Sequence, residues 1–575
     1  MAGPKISQHH LVLLRGAETL EPSPIPTRWV SNGEYMPLPR TRKQEQVAEQ
    51  LRALTDRYAK RLGLSRREFL RGSCGLAAAF LAMNAVHGEV FSVSGAEAID
   101  PSAREDNGPG RNGPPFIFDM HTHFVRDDFP LDQVTSQFIL LGDALIQLER
   151  GLLDAHKRYN ANDYGLVNTG NLQQDLDQIK IQNYIRFIFL ESDTNVALLS
   201  DATANPDHPE REFMDDQLRA ELRDQINSFA GAERVLASAL LKPKHAGWIE
   251  RIDRALGDLK LDCWKGFTVG QNTFYPNPEL PWRLDDFELL DEVFYQKLLH
   301  SSNRRVKNIT IHKGLIAPDF EVSFGTLHPN PTAGQPDLFN LSNNGGVEPA
   351  MIPAWHFNTV QDVPRAAQAY PGLNFIVYHS AFRPAIGVFE PAALFGVPPP
   401  DLDGFFLRNF LPTVDADHPR GVMPWVTDLA SIPERFGVHN VYTELGSVFG
   451  PLVVTDPEFA ALLVGILIEG LGPHNVLWGT DAVLLGRPQW VIEAFRRLKI
   501  FDIFERYFGV TPTALHGHLT ETAVKHLILG ANAASLFDID PRAAFAQTGG
   551  DRLAQLKPDA SSRNHLNGAL GYIAP

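Results

Sequence analysis

Residues 116–123 read Phe-Ile-Phe-Asp-Met-His-Thr-His, a short apolar run that ends in two histidines separated by one residue. A run of this kind is typical of a strand that is buried on both faces, as in parallel sheets. Seven further segments of the same type follow, most of them bounded by Asn, Gly, Pro or Asp. The predicted strands are Phe116–His121, Tyr184–Leu190, Val235–Leu241, Cys263–Val269, Asn308–His312, Asn374–His379, Asn440–Glu444 and Asn475–Trp478.

Helix-like stretches with one apolar face alternate with these strands. The predicted helices are Trp248–Lys260, Asp285–Leu299, Val360–Ala369, Pro457–Glu469 and Pro488–Glu505. A strand–helix alternation repeated eight times predicts an α/β fold, a (β/α)₈ barrel of the TIM type. Because long βα loops usually build or cover the active site of a barrel, we expect that role for the long insertions. They lie around residues 124–180, 200–230, 316–355 and 386–435.

Composition narrows the function classes. The chain has 575 residues, with 52 Lys+Arg against 68 Asp+Glu and a formal net charge of −16. An acidic excess disfavours a nucleic-acid-binding surface, because phosphate contacts need basic residues. No apolar run approaches the roughly 20 residues of a membrane-spanning helix, and two cysteines exclude a disulfide scaffold. These numbers favour an enzyme or a large binding protein that acts on a small molecule.

The N-terminal region carries a separate signal. The first 71 residues hold 13 basic and 7 acidic residues, and residues 65–71 read Ser-Arg-Arg-Glu-Phe-Leu-Arg. An uncharged stretch at 72–86 and the sequence Ala96-Glu97-Ala98 follow. This order resembles a twin-arginine export signal and predicts a periplasmic protein, handled by the twin-arginine machinery and cleaved after residue 98. The alternative is a buried helix of an N-terminal extension in a cytoplasmic protein, since Ala/Leu runs form helices readily.

Four regions are therefore predicted along the chain. Residues 1–98 form the N-terminal extension, and residues 99–115 form a linker rich in Gly, Pro and Asn. Residues 116–545 form the barrel domain, and residues 546–575 form a polar C-terminal tail.

Several of the predicted strands end in side chains that can bind a metal. His121 and His123 are two residues apart, so in a strand both imidazoles point the same way and supply half of a tetrahedral site. His312, His379 and Asp481 end the fifth, sixth and eighth strands. The carboxyl ends of the strands are where barrel enzymes place catalysis. Each residue alone could equally be a hydrogen-bonded structural group, but their joint placement indicates a metal site.

At these residues the chain resembles a known family. The motifs Asp-Met-His-Thr-His (119–123), Ile-Thr-Ile-His-Lys-Gly (309–314), Tyr-Pro-Gly-Leu-Asn-Phe-Ile-Val-Tyr-His (370–379) and Leu-Trp-Gly-Thr-Asp-Ala (477–482) are similar to those of the amidohydrolase superfamily. More narrowly they resemble its amidohydrolase-related branch, which includes aminocarboxymuconate-semialdehyde and resorcylate-type decarboxylases. The resemblance spans roughly residues 116–540.

The resemblance implies a ligand set and roles. One divalent ion, Zn²⁺ first and Mn²⁺, Fe²⁺ or Co²⁺ as alternatives, is expected on His121, His123, His312 and Asp481. Asp481 is also the expected general base, and His379 is expected to orient water or substrate beside the metal. A homodimer is expected as well, because dimers are common among such barrels.

The motifs are compatible with more than one reaction. A metal that acidifies water and polarises a carbonyl supports hydrolysis of an amide, ester or lactone. The same ion could chelate a carboxylate for non-oxidative decarboxylation of an aromatic or unsaturated acid, and a non-catalytic binding barrel is the third reading. Arg383, Lys313 and Glu444 are candidate substrate contacts, Arg383 because it can grip a carboxylate through two hydrogen bonds. Lys265 on the fourth strand is expected to point outward, which favours one metal over two.

Overall fold

The computed structural model describes most of the barrel and much of the N-terminal extension. The described residues are 24–25, 42–100, 103, 115–126, 180–200, 214–268, 282–314, 357–382, 423, 425–483, 486–510, 512 and 519–557. Arg383 and large parts of the predicted insertions lie outside these residues.

Eight parallel strands follow one another in a single sheet, in chain order. They are β1 Phe118–Thr122, β2 Val196–Leu199, β3 Val235–Leu241, β4 Cys263–Phe267, β5 Asn308–His312, β6 Asn374–Tyr378, β7 Val441–Glu444 and β8 Val476–Leu477. The sheet closes on itself. The Met120 amide donates to the Trp478 carbonyl at 2.9 Å, and the His123 amide donates to the Ala482 carbonyl at 2.6 Å. The fold is the predicted (β/α)₈ barrel.

Helices precede the barrel, alternate with its strands and follow it. They are α1 Arg42–Leu62, α2 Arg66–Arg71, α3 Ser73–His87, α4 Ile181–Ile185, α5 Asp216–Ala230, α6 Trp248–Gly257, α7 Phe287–Leu290, α8 Gln296–His300, α9 Val363–Ala369, α10 Val426–Phe436, α11 Phe449–Thr455, α12 Pro457–Leu471, α13 Gln489–Arg497, α14 Ile500–Phe508, α15 Glu521–His526, α16 Asn532–Leu536, α17 Pro541–Gly550 and α18 Arg552–Leu556. All five predicted helical regions are helical. The region Asp285–Leu299 consists of α7, a π-helical turn at Asp291–Tyr295 and α8, and the last region consists of the pair α13 and α14.

The second predicted strand is wrong. Tyr184–Leu190 belongs to a helix, since α4 continues into a π-helical turn at Arg186–Leu190, and β2 follows at Val196–Leu199. Every residue from Tyr184 to Leu190 is buried. A fully buried apolar run has no polar face, so its periodicity cannot distinguish helix from strand.

The core has an inner and an outer layer, as alternation along a strand requires. Leu198, Leu236 and Leu477 lie in the same buried cluster inside the barrel. Their strand neighbours Ala197 and Val235 belong to a different cluster, which packs against helices. Both faces of the strands are therefore buried, which explains their continuous apolar sequences.

The N-terminal helices pack on the outside of the barrel. Most of α3 is buried, and its Phe80 shares one hydrophobic cluster with residues of α12 and α13. The Phe80 ring lies 4.9 Å from the Phe91 ring and 5.4 Å from the Arg497 guanidinium, measured to ring centroids. No helix among the described residues is long and apolar enough to cross a membrane.

Polar contacts join residues 91–97, which follow α3, to the end of α13. Arg497 donates to Glu97 at 2.9 Å and to the Ser92 carbonyl at 3.1 Å, and both charged side chains are buried. Phe91 forms an antiparallel bridge with Leu498. The extension is thus joined to the barrel by buried apolar contacts and by a buried ion pair.

The folded body also continues past residue 545. Arg234 makes a bidentate ion pair with Asp551, with N···O distances of 2.6 and 2.9 Å. Leu553 in α18 is fully buried in the cluster that contains β2 side chains. The first part of the predicted tail therefore packs against the barrel.

Phe80→Ala should lower the free energy of unfolding by about 3–5 kcal/mol, because it leaves a cavity in a closely packed cluster. Urea denaturation of the full-length protein measures the change. Val510→Ala is the control, since Val510 is 38% exposed and its truncation should cost less than about 0.5 kcal/mol. Equal midpoints for the parent and Phe80→Ala would contradict the packing of α3 against the barrel.

Candidate metal centre

Five predicted side chains meet at the carboxyl ends of the strands. His121 and His123 come from the end of β1, His312 from the end of β5, His379 from the turn after β6 and Asp481 from the turn after β8. All five are buried. The ring of His121 lies 4.6 Å from that of His123 and 4.9 Å from that of His379, and the rings of His312 and His379 are 4.5 Å apart. The structure therefore brings these residues into one chamber.

Three ligand atoms converge most closely. The Nε2 atoms of His121 and His123 are 2.7 Å apart. Oδ1 of Asp481 lies 3.1 Å from Nε2 of His123 and 3.6 Å from Nε2 of His121. Each of these side chains offers one donor atom, and the three donor atoms lie within 4.8 Å of one another.

Hydrogen bonds on the outer side of each ring assign the protons. Nδ1 of His123 lies 2.9 Å from the Ser200 carbonyl oxygen, which can only accept, so Nδ1 carries the hydrogen. Nδ1 of His121 lies 3.1 Å from Oε1 of Glu444, and this oxygen already acts as an acceptor for the His379 amide at 3.0 Å, so Nδ1 is the donor here as well. In its neutral form, each ring therefore turns an Nε2 lone pair toward the other ring and toward Asp481.

Burial sets the charge states that metal ligands need. Burial lowers the pKa of His121 and of His312 well below the usual histidine value, and it lowers the pKa of His379 to about 3. Burial alone would raise the pKa of Asp481, and the hydrogen bond that the Ser447 hydroxyl donates to Oδ2 opposes this rise by stabilising the ionised carboxylate. Neutral imidazoles and an ionised carboxylate therefore face one another at neutral pH.

This arrangement fits a divalent cation. Three electron pairs pointed at one place repel one another unless a positive charge lies between them. Two imidazole nitrogens and a carboxylate oxygen are ligands that Zn²⁺ and related ions accept. His121, His123 and Asp481 would hold the ion. His312 lies farther out, stacked on Phe267 with 5.2 Å between ring centroids, and its place as a fourth ligand stays a prediction.

Glu444 lies behind the histidines. Besides its contact with Nδ1 of His121, Oε1 accepts the His379 amide at 3.0 Å. The close approach needs glycine at Gly479, where a Cβ atom would come within 2.0 Å of Glu444 Oε2. Glu444 is fully buried and orients His121 through the hydrogen bond to Nδ1. Carboxylates commonly hold metal-ligating histidines in this way.

Two other candidate substrate contacts have different surroundings. The Lys313 ammonium is fully buried and is bound by the Asp362 carboxylate at 2.8 Å and by the Phe357 carbonyl at 2.8 Å. Its charge is thus already paired inside the protein. Arg383 lies outside the described residues.

The expected outward orientation of Lys265 is wrong. The side chain is buried, and Nζ lies 3.8 Å from the centroid of the Tyr378 ring and 4.8 Å from that of Phe267. The His121 ring lies on the same tyrosine, with centroids 4.3 Å apart. The period-two pattern of the strand did not say which face of β4 looks inward, because its residues are buried on both faces.

Two polar residues of the site were missed in the sequence. Asp119 accepts the Thr480 amide at 3.0 Å and the His121 amide at 3.2 Å, and Thr480 also donates its hydroxyl to Asp119. Ser447 donates its hydroxyl to Asp481. Asp119 stood inside the histidine motif and could have been singled out there, whereas no motif marked Ser447.

No protein-family model matches this chain, and no curated protein matches it. A 5-carboxyvanillate decarboxylase from Sphingomonas paucimobilis is 14% identical, with a TM-score of 0.33, and the match covers 74% of this chain and 100% of that one. The 5-carboxyvanillate decarboxylase of Novosphingobium aromaticivorans, solved with manganese and 3-methoxy-4-hydroxy-5-nitrobenzoic acid, is 11% identical with a TM-score of 0.36, and the match covers 74% of this chain and 97% of that one. A zinc-bound amidohydrolase from Burkholderia multivorans is 12% identical with a TM-score of 0.31, and the match covers 74% of this chain and 100% of that one. Similarities this low do not assign a reaction to this chain, so its chemistry has to be inferred from its own side chains.

His379 should destabilise the metal-free protein as the pH falls below about 6.5, whereas Asp119, whose pKa burial raises to about 7, acts in the opposite direction over the same range. His379 has a pKa of about 3 in the fold against 6.5 for the free side chain, so between these values only the unfolded chain takes up the proton. The lowered pKa values of His121 and His312 act in the same direction. Urea midpoints of the chelator-treated parent and of His379→Gln between pH 7.5 and 4.5 isolate the contribution of His379, and the parent should lose more stability than the variant as the pH falls. A difference between the two midpoints that stays constant over this range would contradict the neutral state assigned to His379.

Proposed function

We propose that this chain is a metal-dependent hydrolase of the amidohydrolase type, which cleaves an amide, ester or lactone of a small organic molecule. One observation carries the proposal. Hydrogen bonds with fixed acceptors place the protons of His121 and His123 on Nδ1, so two lone pairs and the Asp481 carboxylate face one another in a buried chamber. Zn²⁺ is the first expectation for such a site, and Mn²⁺, Fe²⁺ and Co²⁺ are the alternatives.

Asp481 and His379 supply the proton chemistry. A divalent ion held here would polarise a carbonyl and lower the pKa of water. The ionised Asp481 carboxylate can take a proton from the attacking water and pass it to the leaving group. Nδ1 of His379 donates to the Gly446 carbonyl at 2.8 Å, so its Nε2 is an acceptor. His379 therefore suits the orientation of a water molecule better than donation of a hydrogen bond to a carbonyl.

Metal analysis tests the proposal directly. Protein expressed with Zn²⁺, Mn²⁺, Fe²⁺ or Co²⁺ should hold close to one equivalent by mass spectrometry, because buried deprotonated ligands bind strongly. His121→Ala should lose both the metal and the activity. His300→Ala is the matched control, since His300 is exposed on α8 and should leave both unchanged. A parent protein with less than about 0.2 equivalents of every ion would refute the proposal.

Asp481→Asn separates binding from proton transfer. The asparagine side chain keeps one oxygen that can bind a metal, but this oxygen cannot act as a base near neutral pH. Turnover should therefore fall about 10²- to 10⁴-fold while part of the metal remains bound. Activity is compared with that of the parent at equal metal content, on a panel of lactones, esters and amides. Full activity of Asp481→Asn would show that another group is the base.

Decarboxylation of an aromatic or unsaturated carboxylic acid is the second candidate. The observation in its favour is the buried ammonium of Lys265, whose positive charge, after burial itself, is among the causes that lower the pKa of His312 and His379. A positive charge in the chamber favours an anionic substrate. Release of CO₂ from aryl carboxylates, with no hydrolysis of the lactone, ester and amide panel, would select this reaction over hydrolysis.

The N-terminal segment has two proposed fates. Export by the twin-arginine machinery with cleavage after residue 98 yields a periplasmic protein without α1–α3. The alternative keeps residues 42–98 on a cytoplasmic protein, and the buried Phe80 and the Arg497–Glu97 ion pair support this alternative. N-terminal sequencing of protein from periplasmic and cytoplasmic fractions distinguishes the two. A homodimer stays a prediction, which sedimentation of the purified protein tests.

A further inference from the structure

We infer that Ser447 is a positioning residue that decides how Asp481 binds the metal ion. This inference rests on the proposed metal-dependent function. The Ser447 hydroxyl donates to Oδ2 of Asp481, whereas Oδ1 of the same carboxylate faces Nε2 of His123 at 3.1 Å. Both side chains are 1% exposed, so little water competes for this hydrogen bond.

The two oxygens of Asp481 have different tasks. A carboxylate can bind a metal through one oxygen or through both. With Oδ2 held by a hydroxyl, Asp481 presents Oδ1 alone to the site. Without the hydroxyl the carboxylate can rotate, so its second oxygen becomes available to the ion and the coordination of the ion changes.

The backbone at Ser447 points to the same role. Its φ angle is +57°, a left-handed conformation that glycine adopts freely and other residues adopt at a cost. Glycine would suit the backbone better, so the contact made by the side chain accounts for serine at this position.

Ser447 closes a short turn that touches three ligand or catalytic side chains. We call residues 444–447 the orienting turn. Glu444 contacts Nδ1 of His121, the Gly446 carbonyl accepts from His379, and Ser447 donates to Asp481. The turn is itself held at its far end, where the amides of Val448 and Phe449 donate to the Leu445 carbonyl at the start of α11.

Glycine is required at the centre of the orienting turn. A Cβ atom on Gly446 would lie 2.6 Å from Oε2 of Glu444 and 2.9 Å from Nδ1 of His121. The Gly446 amide also donates to Oε2 of Glu444 at 2.5 Å. The turn therefore packs directly against His121, and its residues Glu444 and Ser447 contact two different candidate ligands, His121 and Asp481.

Cobalt binding to the full-length protein tests the inference without any substrate. Chelator-treated parent, Ser447→Ala and Ser447→Gly are titrated with Co²⁺, and the visible absorption of the bound ion reports its coordination. Loss of a hydrogen-bond partner of a metal ligand typically weakens binding about 10- to 100-fold. We expect both variants to show this loss and the same altered cobalt spectrum.

The two variants separate the hydroxyl from the backbone. Ser447→Ala keeps a residue that is strained at positive φ, whereas Ser447→Gly removes the strain together with the hydroxyl, and so remains informative if the alanine variant unfolds. Ser192→Ala is the control, because Ser192 is a buried serine before β2, at the opposite end of the strands from the ligands. It should bind Co²⁺ like the parent.

Each result has a defined meaning. A parent protein that binds no Co²⁺ refutes the proposed metal-dependent function. A parent that binds Co²⁺, with both Ser447 variants matching it in affinity and spectrum, overturns the positioning role alone. Parent-like binding in Ser447→Gly together with a loss in Ser447→Ala assigns the effect to backbone strain and also overturns it.

Discussion

The candidate metal centre depends on the hydrogen bonds that close the barrel between β1 and β8. Asp119 accepts from the amide and hydroxyl of Thr480, 361 residues away in sequence, and from the amide of His121. The Asp481 amide in turn donates to the His121 carbonyl at 2.8 Å. These bonds set the first strand beside the last. Because of them, a histidine pair from one end of the domain and a carboxylate from the other reach the same point.

Burial then determines what this point can bind. A polar atom that is buried from solvent needs a partner inside the protein. The carbonyl of Ser200 accepts a hydrogen bond from Nδ1 of His123, and the carboxylate of Glu444 accepts one from Nδ1 of His121. In the neutral rings, the Nε2 atoms of His121 and His123 each keep a lone pair. The electrostatics of the candidate site thus depend on groups behind the ligand side chains. Gly479 leaves the space that Glu444 needs to approach His121.

Segments outside the eight βα units also contribute to the frame. Arg497 pairs with Glu97 from the N-terminal extension, and Arg234 pairs with Asp551 near the last described helix. Breaking a buried pair by removing one partner leaves an unpaired buried charge, which is costly. These pairs attach the N-terminal extension and the C-terminal segment to the barrel.

The sequence by itself determined the barrel and most of its strands, because buried parallel strands leave short apolar runs with polar ends. It also predicted that the side chains of five residues lie close together, since strand ends at one rim meet. These residues are His121, His123, His312, His379 and Asp481. Its one failed strand was a buried helix with no polar face to reveal it. Only the tertiary structure decided that Lys265 points inward, that Glu444 orients a histidine and that Ser447 holds Asp481. Contacts of this kind join residues from different strands, and they depend on the direction of each side chain, which local sequence patterns do not encode.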